Sequence, residues 1–80
     1  MFLEIITPST KVYSGEVSLV KLPGSKGSFA VLKNHAPIIS TLEAGKIKIV
    51  EKGDKVSYFD INGGVVEVKK NKIIVLTESA

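Results

Sequence analysis

Apolar and polar residues alternate along several short stretches of the chain, and turn-forming residues interrupt this alternation about every ten residues. In residues 46–49 the two isoleucines fall on one face of an extended segment and the two lysines on the other. Val66 and Val68 share a face in the same way, with Glu67 and Lys69 opposite. This two-residue period is typical of a half-buried antiparallel strand.

The alternating and apolar stretches predict an all-β chain. No stretch carries apolar residues at the three- and four-residue spacing of a helix, so we expect at most a single helical turn near Asn34. The nine predicted strands cover residues 2–6, 11–14, 16–22, 28–32, 38–42, 46–51, 56–61, 65–69 and 73–77.

Short turns rich in Gly, Asn, Pro and Ser separate these strands. Residues 52–54, 62–64 and 70–71 are expected to form tight hairpins, because Gly and Asn tolerate the positive φ that such hairpins require. The C-terminal half is then a meander, with positive φ at Gly63, Gly64 or both. Residues 23–28 are interpreted as a flexible, exposed hairpin tip. The remaining predicted turns lie at residues 7–9, 14–15, 34–37 and 43–45.

The composition is that of a small globular protein. Of its 80 residues, 44% are hydrophobic and 24% charged, which predicts one domain over residues 1–80. The absence of cysteine excludes disulfides and thiolate chemistry and is compatible with a reducing compartment. No basic leader precedes an apolar segment, and no apolar run approaches the roughly 18 residues of a membrane span. We expect a soluble chain that is not exported.

The net charge of +3 comes from eleven lysines and no arginine. Arginine makes the bidentate contacts that are common at nucleic-acid interfaces, so this charge is weak support for binding DNA or RNA. We expect most of the lysines to lie on the solvated outer faces of strands.

Residues for catalysis, cofactor binding or metal binding are not predicted. His35 is the only histidine, so a metal site would lack a second imidazole. The Gly and Lys residues of segment 23–28 lack the spacing of a phosphate-binding loop, and a strand rather than a helix follows them. Acidic residues are dispersed, and Asp60, which lies between two apolar residues, is expected to pair with a lysine on a neighbouring strand.

Several motifs, in their order and spacing, resemble the epsilon subunits of F-type ATP synthases. The most specific combination is the Asn-His-Ala-Pro turn at residues 34–37, followed about 25 residues later by the Gly-Gly pair and Glu67-Val68. The other matching segments are residues 12–17, 22–24, 27–32, 38–39, 42, 45–49, 61–66 and 71–76.

This resemblance implies a ten-stranded β-sandwich of two five-stranded sheets. It also implies a non-catalytic rotor subunit at the foot of the central stalk, in contact with the gamma subunit and the c-ring. Rotation of the c-ring by the proton motive force would pass through gamma and this subunit to distant catalytic sites. The complex would place the chain peripherally at the cytoplasmic face of the bacterial inner membrane, without insertion into the bilayer and without a cofactor.

The resemblance also assigns contact residues. It implies that the tip at residues 23–28 and the neighbouring 34–37 turn form the end that faces the c-ring. The implied c-ring contacts are Ser25, Lys26, Ser28 and His35, and the implied gamma contacts are Thr7 and Ser40. Family members often carry an acidic residue at the position of Ser28, so here Lys26 is expected to supply charge to a carboxylate on the ring.

The end of the chain differs from most of the family, in which two α-helices follow the sandwich. We therefore expect a short form that lacks the C-terminal helical domain and does not restrain ATP hydrolysis by helix insertion.

Two other classes fit some of the same features. A small nucleic-acid-binding barrel of the OB or SH3-like type matches the size, strand content and basic charge, although such modules use exposed aromatic residues to stack bases. A biotinyl- or lipoyl-type carrier domain would need Lys26 or Lys55 in a tight turn within a recognition sequence, which neither context supplies.

Overall fold

Seven β-strands make up the computed structural model, which describes residues 1–79. Within that range there is no helix, and residues 32–35, around Asn34, form a hydrogen-bonded β-turn. The all-β class predicted from the alternation is confirmed. The strands are β1 (Phe2–Ile6), β2 (Lys11–Glu16), β3 (Leu19–Leu22), β4 (Phe29–Leu32), β5 (Ile38–Glu51), β6 (Lys55–Lys69) and β7 (Lys72–Leu76).

Backbone hydrogen bonds join the strands in the order β2-β1-β7-β6-β5-β3-β4. Every neighbouring pair is antiparallel except β1 and β7, which are parallel. Strands β5, β6 and β7 are consecutive neighbours, which confirms the predicted meander. Its two hairpin turns contain positive φ angles at Gly53, Asp54, Lys70 and Asn71, as tight hairpins require.

The strands are fewer and longer than predicted. The turns predicted at residues 14–15 and 43–45 and the hairpin predicted at residues 62–64 are wrong, because β2, β5 and β6 run through them. The β5–β6 register is continuous there, with Leu42 opposite Gly64 and Ala44 opposite Asn62. Pairing with a neighbouring strand therefore overrides the local turn signals.

The buried side of β5 and β6 changes at the middle of each strand. In β5 Leu42 is buried and then Ile47, five positions later; in β6 Ile61 is buried and then Val66. Residues an odd number of positions apart face opposite sides of a regular strand, so the buried face switches in both strands at the same level. The switch in β6 lies at Gly63–Gly64, where φ is 122° and 154°.

This switch divides the continuous sheet into two packed layers. The first layer contains β2, β1, β7 and residues 65–69 and 38–42; the second contains β4, β3 and residues 46–51 and 55–61. The sandwich implied by the family resemblance is therefore present. Its strand count differs, because seven continuous strands supply five segments to one layer and four to the other.

One hydrophobic core lies between the layers. An edge-to-face contact between Tyr13 and Phe59, with ring centroids 5.5 Å apart, closes one side of it. Each fully buried aliphatic side chain stabilises such a core by about 1.5–3 kcal/mol. Among the fully buried residues are Leu3, Ile5, Ile73 and Val75 from the first layer and Val20, Leu22, Ile47 and Ile49 from the second.

Candidate interaction surfaces

The segment between β3 and β4, residues 23–28, forms the exposed hairpin tip that the sequence predicted. The Gly27 N–H donates to the Gly24 carbonyl oxygen at 2.9 Å, and the Ser25 N–H donates to the Thr41 carbonyl oxygen at 3.0 Å. The second bond fastens the tip to the edge of β5, which limits the flexibility expected of it. The candidate contact residues here are all exposed: Ser25, Lys26 and Ser28.

Gly24 shapes this tip because its backbone approaches its neighbours closely. A Cβ atom at Gly24 would lie 2.6 Å from the Gly27 carbonyl oxygen and 2.9 Å from the Phe29 ring. Gly24 also forms an isolated bridge to Leu42, at the point where β5 passes from one layer to the other. A side chain at this position would therefore move the tip away from the sandwich.

His35 lies beyond the opposite end of β4 from the tip. Its backbone N–H donates to the Leu32 carbonyl oxygen at 3.1 Å, and its Nδ1 lies 2.7 Å from the Ala36 carbonyl oxygen. The preceding residue, Asn34, exchanges hydrogen bonds with Asn71 in the β6–β7 turn, at 2.7 and 3.1 Å.

The structure therefore does not gather His35 and Ser28 into one cluster. The four residues of β4 lie between them, and their Cα atoms span about 10 Å. A single partner that touches both residues must follow the whole length of β4.

The two residues assigned to gamma lie in different parts of the first layer. Thr7 follows β1, and its hydroxyl donates to the Thr10 carbonyl oxygen at 3.1 Å and accepts from the Thr10 N–H at 3.2 Å. Ser40 lies on β5, separated from β1 by β6 and β7, a distance of roughly 14 Å across the sheet. Ser40 instead lines a shallow recess with Lys26 and Phe29. The structure thus brings Ser40 to the hairpin tip rather than to Thr7.

An apolar row that the sequence reasoning missed crosses the outer face of the second layer. Leu32 and Val56 are 55% and 46% exposed, and Leu19 and Val50 between them are half-buried. All four are directly opposite one another across β4, β3, β5 and β6. Extending the alternation of residues 46–49 by one residue predicts that Val50 faces outward. Which residues lie next to Val50 depends on the strand register, which the sequence does not reveal.

A second apolar row crosses the outer face of the first layer. Leu76 is 53% exposed and is opposite both Val65 and Ile6. These three residues line an open groove that Thr7 and Pro8 border. Thr7 therefore lies beside an apolar surface.

Charged and polar side chains are paired at several points between strands. The Lys46 ammonium lies 2.8 Å from the Asp60 carboxylate, which confirms the expected cross-strand partner of Asp60. The Tyr13 hydroxyl donates to the Glu51 carboxylate at 2.9 Å. Burial, and then this hydrogen bond, raise the pKa of Tyr13 to about 12. These two contacts link neighbouring or facing strands, and each occupies a carboxylate, that of Asp60 or that of Glu51.

The described residues form an all-β module whose distinctive features lie on its surface. Among residues 1–79 there is no group of three His, Cys, Asp or Glu residues placed to hold a metal ion. Within the same range, no helix is long and apolar enough to cross a membrane. These surface features are the hairpin tip at residues 23–28, which is hydrogen-bonded to β5, the turn at residues 32–35 beyond the other end of β4, and two exposed apolar rows.

Comparison with known proteins identifies the module. The family model of the ATP synthase delta/epsilon chain β-sandwich domain matches residues 1–80. The ATP synthase epsilon chain of Sulfurimonas denitrificans is 49% identical over 78 residues, which cover 98% of this chain and 60% of the relative. The ATP synthase epsilon chain of Campylobacter curvus is 44% identical over 80 residues, which cover 100% of this chain and 62% of the relative. This chain therefore belongs to the family of ATP synthase delta/epsilon chain β-sandwich domains, and it spans about three fifths of the length of these relatives.

Solved structures confirm the fold at low sequence identity. A chain in the Euglena gracilis mitochondrial ATP synthase structure, OSCP/F1/c-ring in rotational state 1, superposes with a TM-score of 0.90 at 19% identity. The match covers 96% of this chain and 49% of that one. A chain in the Tetrahymena thermophila central stalk/c-ring structure gives 0.78 at 18% identity, covering 95% and 61%. The comparisons give no support to an OB or SH3-like barrel.

Proposed function

We propose that this chain is a non-catalytic subunit of the central stalk of an F-type ATP synthase. In this role it couples proton-driven rotation of the c-ring, through the gamma subunit, to ATP synthesis. The observation that carries the proposal is the match of the delta/epsilon β-sandwich family model to residues 1–80. The complex would hold the chain peripherally, at the cytoplasmic face of the bacterial inner membrane.

The fold suits a part that transmits torque. Strands β5 and β6, of 14 and 15 residues, pass through both layers as one antiparallel ladder. Sliding one layer over the other would break backbone hydrogen bonds as well as packing contacts between side chains. Because interiors of this kind are close-packed, the sandwich resists shear and moves as one body.

The c-ring contact is proposed to follow β4, from the tip residues Ser25, Lys26 and Ser28 to His35. All three tip residues are exposed, and the tip is held in place by the backbone of β5. For gamma, the proposed contact at Thr7 is favoured by the apolar groove beside it. The proposed gamma contact at Ser40 lies beside Lys26 of the tip.

Charge reversal at the tip tests this placement. Lys26→Glu should lower ATP synthesis per proton translocated in reconstituted vesicles. The glutamate side chain would repel a carboxylate on the ring that the lysine attracts. The fold should be intact, as shown by an unchanged melting temperature. Lys52→Glu, in the β5–β6 turn, is the matched control. Unchanged coupling in both Lys26→Glu and His35→Ala would contradict the proposed ring contact.

A further inference from the structure

The outer face of the second layer carries a basic row next to its apolar row. Across the strands, Lys21 is opposite Ala30 and Lys48, and Lys48 is opposite Tyr58, which is 58% exposed. We call the apolar row (Leu32, Leu19, Val50, Val56) and this row (Ala30, Lys21, Lys48, Tyr58) together the basic face. The basic face includes Ala30 and Leu32 of β4 and reaches the tip, because Ser28 lines a recess with Lys21, Lys48 and Tyr58.

The positive charge on the basic face is not balanced within the described chain. Among residues 1–79, neither Lys21 nor Lys48 forms a salt bridge. The cross-strand pair two positions further along β5 and β6, Lys46 and Asp60, already forms a salt bridge at 2.8 Å. The two lysines therefore remain available to a negatively charged partner.

The pairing of Lys21 with Lys48 is itself unfavourable. Like charges directly opposite one another on antiparallel strands destabilise the pair. A second pair of this kind, Lys69 opposite Lys72, is relieved because Lys72 also lies 3.7 Å from the Glu4 carboxylate. The Lys21–Lys48 pair has no such relief among the described residues. Sequence-level rules of this kind are expected to fail at functional or strained sites.

We propose that the basic face docks an acidic segment of a partner protein, with an apolar side chain of that segment seated on the apolar row. A carboxylate between Lys21 and Lys48 would remove their repulsion on binding. Burial of Leu32 and Val56 would add an apolar contribution. The proposal goes beyond the assignment to the ATP synthase, because it names a surface and the chemistry of its partner without depending on which complex the chain joins.

A protein segment fits the basic face better than other anionic partners. The chain has no arginine, and Tyr58 is the single aromatic residue in the two rows, whereas nucleic-acid surfaces use arginine and several stacking rings. Each lysine near an anionic membrane contributes only about 1 kcal/mol to the binding free energy. Two lysines are therefore too few for stable binding to a membrane.

Photo-crosslinking in the cells that make the full-length protein tests the proposal. Tyr58 is replaced by p-benzoylphenylalanine, and the crosslinked peptide is identified by mass spectrometry. The expected product is a protein segment with net negative charge. The Lys48→Glu variant should lower the crosslink yield at least threefold. The matched control is Lys69→Glu, which reverses one lysine of the other like-charge pair and should leave the yield unchanged.

Thermal melts of the purified variants separate loss of docking from loss of folding. Lys48→Glu should melt at the same or a higher temperature than the parent, because it replaces a like-charge pair by an opposite-charge pair. Lys21→Glu should behave in the same way and serves as the second variant. A lower melting temperature for both would overturn the charge argument.

Every other crosslinking result counts against the proposal. Adducts with lipid or nucleic acid, a crosslinked segment without acidic residues, the absence of an adduct, or a yield that Lys48→Glu does not change would each overturn it. Co-purification with gamma and the c-ring is measured on the same samples and reports separately on the proposed function. An acidic crosslink without co-purification would support the basic face and contradict the central-stalk role.

Discussion

Alanine at Gly64 tests why β6 passes from one layer to the other without a turn. A Cβ atom at this position would overlap the Leu76 carbonyl oxygen. It would also lie 3.1 Å from the Leu76 carbonyl carbon and 3.2 Å from the Thr77 Cα. These atoms belong to the backbone of β7 and to the residue that follows it, so they cannot move aside as a flexible side chain could. The φ of 154° at Gly64 is also one that other residues rarely adopt.

The expected cost combines two effects. Backbone strain at a glycine-only conformation costs about 1–3 kcal/mol, and overpacking against a fixed neighbour costs about as much again. Displacement of β7 would also disturb the Thr77 hydroxyl, which donates to the Gly63 carbonyl oxygen at 2.6 Å. We expect a loss of about 2–6 kcal/mol in the free energy of unfolding. A domain of this length has about 4–12 kcal/mol in total, so the variant should be close to unfolded.

Gly27→Ala provides the matched control. Gly27 has a φ of 122°, yet nothing lies within 4 Å of the position its Cβ would take, so its substitution isolates the backbone strain. Urea unfolding followed by far-ultraviolet circular dichroism gives both free energies. The reasoning would be refuted if Gly64→Ala and Gly27→Ala lost stability equally, because contact with β7 would then contribute nothing.

The remaining predictions concern hydrogen-bonded charges. Tyr13→Phe removes the hydrogen bond to Glu51 and should cost about 1 kcal/mol in urea unfolding; an unchanged midpoint would show that the bond adds no stability. Because the pKa of Tyr13 is raised to about 12, stability should fall as pH rises from about 10 to 12, and the fall should be smaller in Tyr13→Phe. A hydrogen bond from Lys11 lowers the pKa of Glu4 below the ordinary value of a glutamate. The stability that the Glu4 carboxylate contributes is therefore present above the ordinary pKa and is lost as pH falls through the lowered pKa. Glu4→Gln should flatten this acid-side loss in thermal melts from about pH 2 to 6, and an equally steep loss would contradict the assignment.

The strand positions were largely readable from the sequence because alternation reports directly on burial. The isoleucines at positions 47 and 49 are fully buried, as predicted, and the turns at residues 52–54 and 70–71 have the positive φ angles that their Gly and Asn residues suggested. The Gly-Gly pair was misassigned to a hairpin. Adjacent glycines suit a tight turn and a change of face within a strand equally well, and only pairing with β5 distinguishes the two.

The surfaces were less predictable because they depend on register between distant strands. The exposure of the tip at residues 23–28 follows from its own composition. In contrast, the apolar row requires the pairing of Leu19 with both Leu32 and Val50, across 13 and 31 positions of sequence. The separation of Ser28 from His35, and the approach of Ser40 to Lys26, likewise follow from strand pairing that a single sequence does not reveal.

The central claim, that this chain is a rotor subunit between gamma and the c-ring, is tested most directly by an electron cryo-microscopy map of the ATP synthase. The complex should be purified from cells in which this chain is the sole source of the subunit. We expect the sandwich at the foot of the central stalk, with the hairpin tip at residues 23–28 in contact with the c-ring. A map of the intact complex without this sandwich, or with both ends of β4 facing solvent, would contradict the account.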